Sequence, residues 1–201
     1  MNIIVASLKD ESAESLARKM LADATGEKPE NIVFYRGENG KPLTRLPLFF
    51  NCSHSGDHVV CAVSEKEIGV DLERIRPVHE RMERTLSEAE RRWLAALPQA
   101  QRAEAFLRLW TLKESWIKCR GGRLMEFRQV EFVLQGDKLL SAPAGFTFSF
   151  PPAPAGYVLT VCEREEKTEE CPPFFLRQIM PEYIFACTHR SIWQRIRPSS
   201  A

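Results

Sequence analysis

Two short stretches hold the side chains best suited to chemistry: Ile68-Gly69-Val70-Asp71-Leu72-Glu73 and Leu109-Trp110-Thr111-Leu112-Lys113-Glu114-Ser115-Trp116-Ile117-Lys118. The first reads as a strand. Alternate side chains of a strand share a face, so Asp71 and Glu73 project together, about 7 Å apart along the backbone. The second reads as a helix, on which Glu114 and Lys118 lie one turn apart. Packed against each other, the two elements bring three carboxylates and one ammonium together. Carboxylates crowded in this way repel one another and raise their own pKa values unless a cation intervenes. Oxygen-only ligands suit magnesium, which completes its shell with water and substrate phosphate. The chemistry implied is a magnesium site that handles a phosphorylated ligand.

Each part also has a plainer reading. Asp-x-Glu describes a solvated strand face, and an i,i+4 Glu–Lys pair stabilises an exposed helix by only about 0.3–0.5 kcal/mol. Yet Phe106, Leu107, Leu109, Trp110, Leu112, Trp116 and Ile117 make this helix apolar around much of its girth. A largely buried helix seldom carries a carboxylate without a partner.

A third segment, Asn51-Cys52-Ser53-His54-Ser55-Gly56, sets hydroxyls beside an imidazole. There is no Gly-x-Ser-x-Gly elbow, and adjacent Ser and His on a strand point to opposite faces, which argues against a serine hydrolase. The segment reads either as a small-residue turn whose Ser53 and His54 donate to an anion, or as a plain hairpin turn. Gly40-Lys41-Pro42, with Pro47, forms a stiffened loop carrying one cation.

The elements that must position these residues follow an α+β pattern. Strands are predicted over 2–8, 31–36, 48–51, 58–64, 129–134, 146–150 and 156–163, besides the Asp71 strand. An apolar stripe from Ala13 to Ala24, stopped by Gly26, predicts a helix. Ser87-Glu88-Ala89-Glu90 is a capping box ahead of Trp93 and Leu94, and Pro98 breaks the helix it starts. The helix carrying Glu114 is predicted over 103–120, ended by Gly121-Gly122. Val59 to Glu67 echoes Tyr157 to Glu165, each run following a turn and a Phe-rich strand. The echo, with the matching order of elements, predicts a pseudo-dimer of two similar lobes, each a small antiparallel sheet with packed helices. The lobes are residues 1–66 and 67–165, the second carrying the acids, and the site lies at their interface. Residues 166–201 are a C-terminal extension with no motif.

Composition restricts the partners. The chain has 201 residues and a formal net charge of +1, so no global field draws it to nucleic acid or to an anionic membrane. The arginines over 81–92 alternate with Glu80, Glu83, Glu88 and Glu90, which cancels a basic stripe. No apolar run approaches the about 20 residues of a membrane span, and the first ten residues lack a secretory pattern. The six cysteines form no Cys-x-x-Cys pair, which fits reduced thiols in the cytoplasm.

Taken in order, Gly40-Lys41-Pro42, Phe50-Asn51-x-Ser53-His54-Ser55, Ile68-Gly69-Val70-Asp71-Leu72-Glu73 and Trp110-Thr111-Leu112-Lys113-Glu114-Ser115-x-x-Lys118 resemble the 4'-phosphopantetheinyl transferase superfamily, in its monomeric two-lobed kind. The resemblance covers residues 32–163. It implies transfer of the phosphopantetheine arm of coenzyme A to a serine of an apo acyl or peptidyl carrier protein, with release of adenosine 3',5'-bisphosphate. It implies that Asp71, Glu73 and Glu114 bind magnesium and that Lys41, Pro42, Ser53 and His54 contact coenzyme A. Glu114 is placed to take the serine proton and Lys118 to stabilise the leaving phosphate. Family members differ in whether that glutamate or a metal-bound water is credited as base. Related enzymes commonly have basic residues ahead of the first helix, and here Lys9, Arg18 and Lys19 are the substitutes. Two other readings stay open: a non-catalytic coenzyme A sensor or scaffold on the same fold, and a magnesium-dependent phosphohydrolase.

Overall fold

Period-two apolar patterning and short turns build two three-stranded antiparallel sheets. The computed structural model describes residues 1–165. Strand β1 (Asn2–Ser7) leads into helix α1 (Ala13–Thr25), a small hairpin of β2 (Phe34–Arg36) and β3 (Pro42–Thr44), and a longer hairpin of β4 (Phe49–Ser55) and β5 (His58–Ser64). Strand β6 (Ile68–Arg74) follows. After it come a single-turn helix α2 (Glu80–Glu83), α3 (Glu88–Ala96) and the long helix α4 (Gln99–Arg120). A second small hairpin, β7 (Val133–Gln135) and β8 (Lys138–Ser141), precedes β9 (Phe146–Ser149) and β10 (Tyr157–Arg164). The sheets run β1-β5-β4 and β6-β10-β9. The succession strand, helix, small hairpin, two strands therefore occurs twice, and each sheet carries its last strand in the centre.

Local chemistry sets the helix ends. The Ser12 hydroxyl accepts the Ser15 N–H at 3.1 Å, and Gly26 closes α1 at φ 75°. Ser87 and Glu90 form the reciprocal capping box that starts α3. Pro98 precedes α4 and Gly121, at φ 69°, ends it.

Alternation along the central strands distributes the core. Val59, Cys61 and Val63 of β5 pack against Leu16, Met20 and Leu21 of α1. The intervening Val60 and Ala62 meet Ile68, Val70, Leu72, Leu159 and Val161, so one apolar seam joins the two sheets. Across the second sheet, Val158 and Cys162 pack with Phe106, Leu109 and Leu112 of α4 and with Phe127 and Phe132. Helix α4 presses on β6 so closely that a Cβ at Gly69 would lie 2.0 Å from the Ser115 carbonyl oxygen and 2.3 Å from the Cys119 nitrogen. Only glycine permits this crossing.

Several predicted boundaries move. The strand predicted over 48–51 continues through Ser55, so Cys52 to Ser55 are strand, not turn; the chain reverses at Gly56-Asp57. Phe34, not Asn31, begins β2, because Pro29–Asn31 coil into a 3-10 turn. Helix α4 starts at Gln99, before the predicted 103. The strand expected over 129–134 is shortened to Val133–Gln135, and Gly136-Asp137 turn it back on β8, which the sequence did not predict. Among the described residues no helix is long and apolar enough to cross a membrane. The extension predicted over 166–201 lies outside the described residues.

Candidate active site between strand β6 and helix α4

Ile68, Val70 and Leu72 face the seam between the sheets, so Asp71 and Glu73 face the other way, toward α4. Asp71 is 3% exposed. Its Oδ1 accepts the Lys118 ammonium at 2.6 Å and the Ser53 hydroxyl at 2.8 Å. Lys118 also donates to Ser53 Oγ at 3.0 Å and to the Val70 carbonyl at 3.3 Å. Asp71 Oδ2 is buried without a hydrogen-bond partner among the described residues. Glu73 accepts the Ser55 hydroxyl at 2.9 Å and lies 3.7 Å from the Arg76 guanidinium.

β6 is an edge strand, whose outward N–H groups lack a ladder partner. Side chains of β4 supply one. Asn51 Oδ1 accepts the Val70 N–H at 2.9 Å, and Ser55 Oγ accepts the Arg74 N–H at 3.1 Å. With Ser53 on Asp71, every second residue from 51 to 55 is bonded to β6. The sequence carried this signal as Asn-x-Ser-x-Ser, a polar face of period two.

Helix α4 is fixed on two sides. Thr111 and Thr160 join hydroxyls at 2.8 Å, tying it to β10. Lys113 lies buried against Glu90 at 2.8 Å and donates to the carbonyls of Phe127 and Val130, each at 2.7 Å. Helical spacing then aligns Trp110, Glu114 and Lys118 along one stripe. An open cleft of about 320 Å³ is lined by Cys52, Ser53, His54, Asp71, Glu73, Trp110, Glu114 and Lys118.

The acids are poorly solvated. Burial pushes the Asp71 carboxyl up, against the pull of Lys118 and Ser53. Burial also raises Glu73, opposed by the Ser55 hydroxyl and reinforced by the charge of Asp71. Glu114 rises from 4.5 to about 7, through burial first and then through Asp71, against Lys118, with Glu73 adding a smaller push. Among the described residues, no three His, Cys, Asp or Glu side chains group tightly enough to hold a metal alone. The donor set nevertheless fits a hard cation of the kind that one or two carboxylates hold together with water and a phosphate. Asp71 Oδ2 has no partner, and Glu114 makes no hydrogen bond among the described residues.

Of the residues singled out from sequence, Ser53, His54, Asp71, Glu73, Glu114 and Lys118 meet in the cleft. Lys41 and Pro42 do not. The Lys41 ammonium donates to the Cys119 carbonyl at 2.7 Å and the Ile68 carbonyl at 3.4 Å. Pro42 lines a neighbouring cavity of about 620 Å³ with Arg18, Arg36 and Tyr35, and Cys52 forms a wall of both spaces. Cys52, Ser55 and Trp110 were quoted from sequence only within their motifs and, for Trp110, in the apolar girth of α4, with no site role of their own.

Comparison with known proteins assigns the class that this arrangement belongs to. A family model described as the 4'-phosphopantetheinyl transferase superfamily matches residues 67–162, which span β6, α4 and β10. The chain is 34% identical over 172 residues to "4'-phosphopantetheinyl transferase psf-1" of Bacillus pumilus, covering 78% of this chain and 71% of that protein. It is 40% identical over 109 residues to "4'-phosphopantetheinyl transferase gsp" of Aneurinibacillus migulanus, covering 54% of this chain and 46% of that one. It is 31% identical over 145 residues to "4'-phosphopantetheinyl transferase HetI" of Nostoc sp., covering 66% and 61%. The chain belongs to the 4'-phosphopantetheinyl transferase superfamily. It spans about half the length of the first of these relatives' proteins, gsp, and more of the other two.

Proposed function

We propose that this chain transfers the 4'-phosphopantetheine arm of coenzyme A to a serine hydroxyl of an apo acyl or peptidyl carrier protein. The observation that carries the reading is the cleft that Asp71, Glu73, Glu114 and Lys118 line together, with Lys118 paired to Asp71. In the reaction the serine oxygen bonds to the phosphorus that bears the pantetheine arm. The bond from that phosphorus to the bridging oxygen breaks, and adenosine 3',5'-bisphosphate leaves. Asp71, Glu73 and Glu114 are the residues that would hold magnesium. The bound cation would neutralise charge developing on the diphosphate.

The chain's own groups take the remaining roles. Glu114, poised near neutrality at about 7, is suited to accept the serine proton. Lys118 presents a fixed positive charge beside Asp71, where it stabilises the leaving phosphate. His54 stands exposed on the rim, suited to a phosphate oxygen. Cys52 lines both the cleft and the cavity holding Arg18, Arg36 and Pro42, so that neighbouring cavity is the space proposed to take the rest of coenzyme A. The doubled order of elements supports a pseudo-dimer within one chain, a monomer whose site lies where β4 of one lobe meets β6 of the other.

The test is a panel of apo carriers incubated with the full chain, coenzyme A and magnesium, read by mass spectrometry. A carrier gaining the mass of the arm, with bisphosphorylated adenosine released, supports the reading. Binding of coenzyme A with no carrier modified would make the chain a sensor. Cleavage of coenzyme A without a carrier would make it a hydrolase.

A further inference from the structure

Helix α4 ends over the beginning of β6, at the crossing that Gly69 makes possible. Lys41, at the end of the β2–β3 connection, reaches into this crossing from the other half of the chain. Its ammonium bridges the last turn of α4, at the Cys119 carbonyl, and the first residue of β6, at the Ile68 carbonyl. Two residues earlier, Asn39 Nδ2 donates to the Gly121 carbonyl at 2.8 Å, and Asn39 Oδ1 accepts from Arg123 Nε at 2.6 Å. Asn39 holds a left-handed backbone, φ 55°, to make these bonds. Carbonyls of the last helical turn have no partner within the helix, and a cation there also meets the negative end of the helix dipole. Lys41 and Asn39 together therefore satisfy the end of α4 that lies nearest Lys118.

We infer that Lys41 is a positioning residue, which sets the register at which Lys118 meets Asp71 by tying the last turn of α4 to the start of β6. The inference rests on the function proposed above. Lys118 precedes Cys119 by one residue, and Asp71 follows Ile68 by three, so a slip at the crossing displaces both partners of the 2.6 Å pair. Lys41 does not line the cleft, and its amine is engaged by backbone carbonyls. To contact a ligand phosphate it would have to leave both carbonyls, one of them in a helix end that has no other donor for it among the described residues. The loop thus links the first half of the chain to the helix carrying the proposed base.

The experiment compares wild type, Lys41→Met and Lys41→Arg in the full chain. Transfer to an apo carrier gives kcat, calorimetry with coenzyme A gives affinity, and amide exchange is followed over residues 117–122. Methionine keeps the stem and removes the donor. We expect kcat to fall about tenfold or more while coenzyme A affinity stays within about threefold. Exchange at the end of α4 should rise. Arginine, which can reach both carbonyls, should restore most of kcat. A tenfold loss of affinity with kcat unchanged would make Lys41 a ligand contact and overturn the inference, as would unchanged exchange. If the methionine variant does not fold, Asn39→Ala removes the Gly121 and Arg123 ties while leaving both Lys41 bonds in place, and the same split is required of it. Failure of the wild-type chain to transfer would refute the functional reading, and the exchange measurement would still decide the register claim.

Discussion

Replacing Glu114 by glutamine should make the metal-free protein more stable while abolishing transfer. The Glu114 carboxyl rises from 4.5 to about 7 in the fold, because burial and the charge of Asp71 oppose its ionisation. A group whose pKa is raised on folding favours the native state below its unfolded value, and that advantage is lost as pH rises through the folded value. Between about pH 4.5 and pH 7 the native state therefore loses stability on account of Glu114. At about 1.4 kcal/mol per tenfold, the rise corresponds to ~3 kcal/mol, and partial exposure of the side chain reduces this to ~2–3 kcal/mol. Glutamine has the same shape and no charge to desolvate. For a chain of this size 1 kcal/mol moves the melting temperature by about 2–4 °C, so the variant should melt about 5–10 °C above wild type near pH 8. Near pH 4.5 the two should coincide, since both side chains are neutral there. Magnesium should close the gap at pH 8 by raising wild type alone. Scanning calorimetry with and without the cation reads all three outcomes. A gap independent of pH, or a less stable variant at pH 8, would show that Glu114 is not the strained acid of this cleft.

Other substitutions read other parts of the arrangement. Lys113→Met removes the cation of a fully buried ion pair and leaves the Glu90 carboxyl buried without it, so it should cost about 3–5 kcal/mol in urea unfolding. Adding Glu90→Gln, which removes the charge and keeps acceptor oxygen for the Ser87 and Phe132 N–H groups, should recover much of that loss, whereas additive losses would deny the pair its coupling. Gly69→Ala forces a methyl to within 2.0 Å of the Ser115 carbonyl. It should destabilise by about 3 kcal/mol or more and reduce transfer, because α4 must lift from β6; a neutral Gly69→Ala would show that the crossing yields easily. Asp71→Asn should remove magnesium dependence together with activity, and transfer at the wild-type rate would refute the assigned role.

The parts of the site that were legible depend on short periods. Asp71 and Glu73 share a face because strand side chains alternate, and Glu114 and Lys118 share one because helical neighbours recur every turn; neither relation needs a tertiary contact. The capping box at Ser87 and the stop at Gly121 were legible for the same local reason. The placement of Asn51, Ser53 and Ser55 was not, because small polar residues read as a turn until a neighbouring edge strand supplies N–H groups for them. The fate of Lys41 was hidden still further. Its partners are carbonyls 27 and 78 residues away, and a carbonyl acceptor leaves no trace in residue type. Strand β8, and with it the hairpin it forms with β7, was missed because it is short and mostly exposed, so it carries little apolar alternation.

Counting donors refines what Ser53 and Lys118 can do. A hydroxyl has one hydrogen to give. Ser53 gives it to Asp71 and accepts from Lys118, so toward coenzyme A it has no hydrogen left while this pair is intact. Its place is to hold Asp71 Oδ1, which leaves Oδ2 as the acid's unbonded oxygen. An ammonium has three hydrogens, and those of Lys118 are directed to Asp71, Ser53 and the Val70 carbonyl. A phosphate oxygen can enter only by displacing one of them. The Val70 bond, at 3.3 Å, is the longest and the only one of the three whose acceptor belongs to backbone rather than to the acid cluster. Lys118 is therefore released toward a ligand most easily while its bond to Asp71 persists. In that state one charged pair would serve both the acid proposed to hold magnesium and the proposed leaving phosphate. Ser53→Ala should accordingly lower kcat more than it weakens coenzyme A binding, because it loosens Asp71 and Lys118 together. Equal losses in both quantities would return Ser53 to the role of a ligand contact.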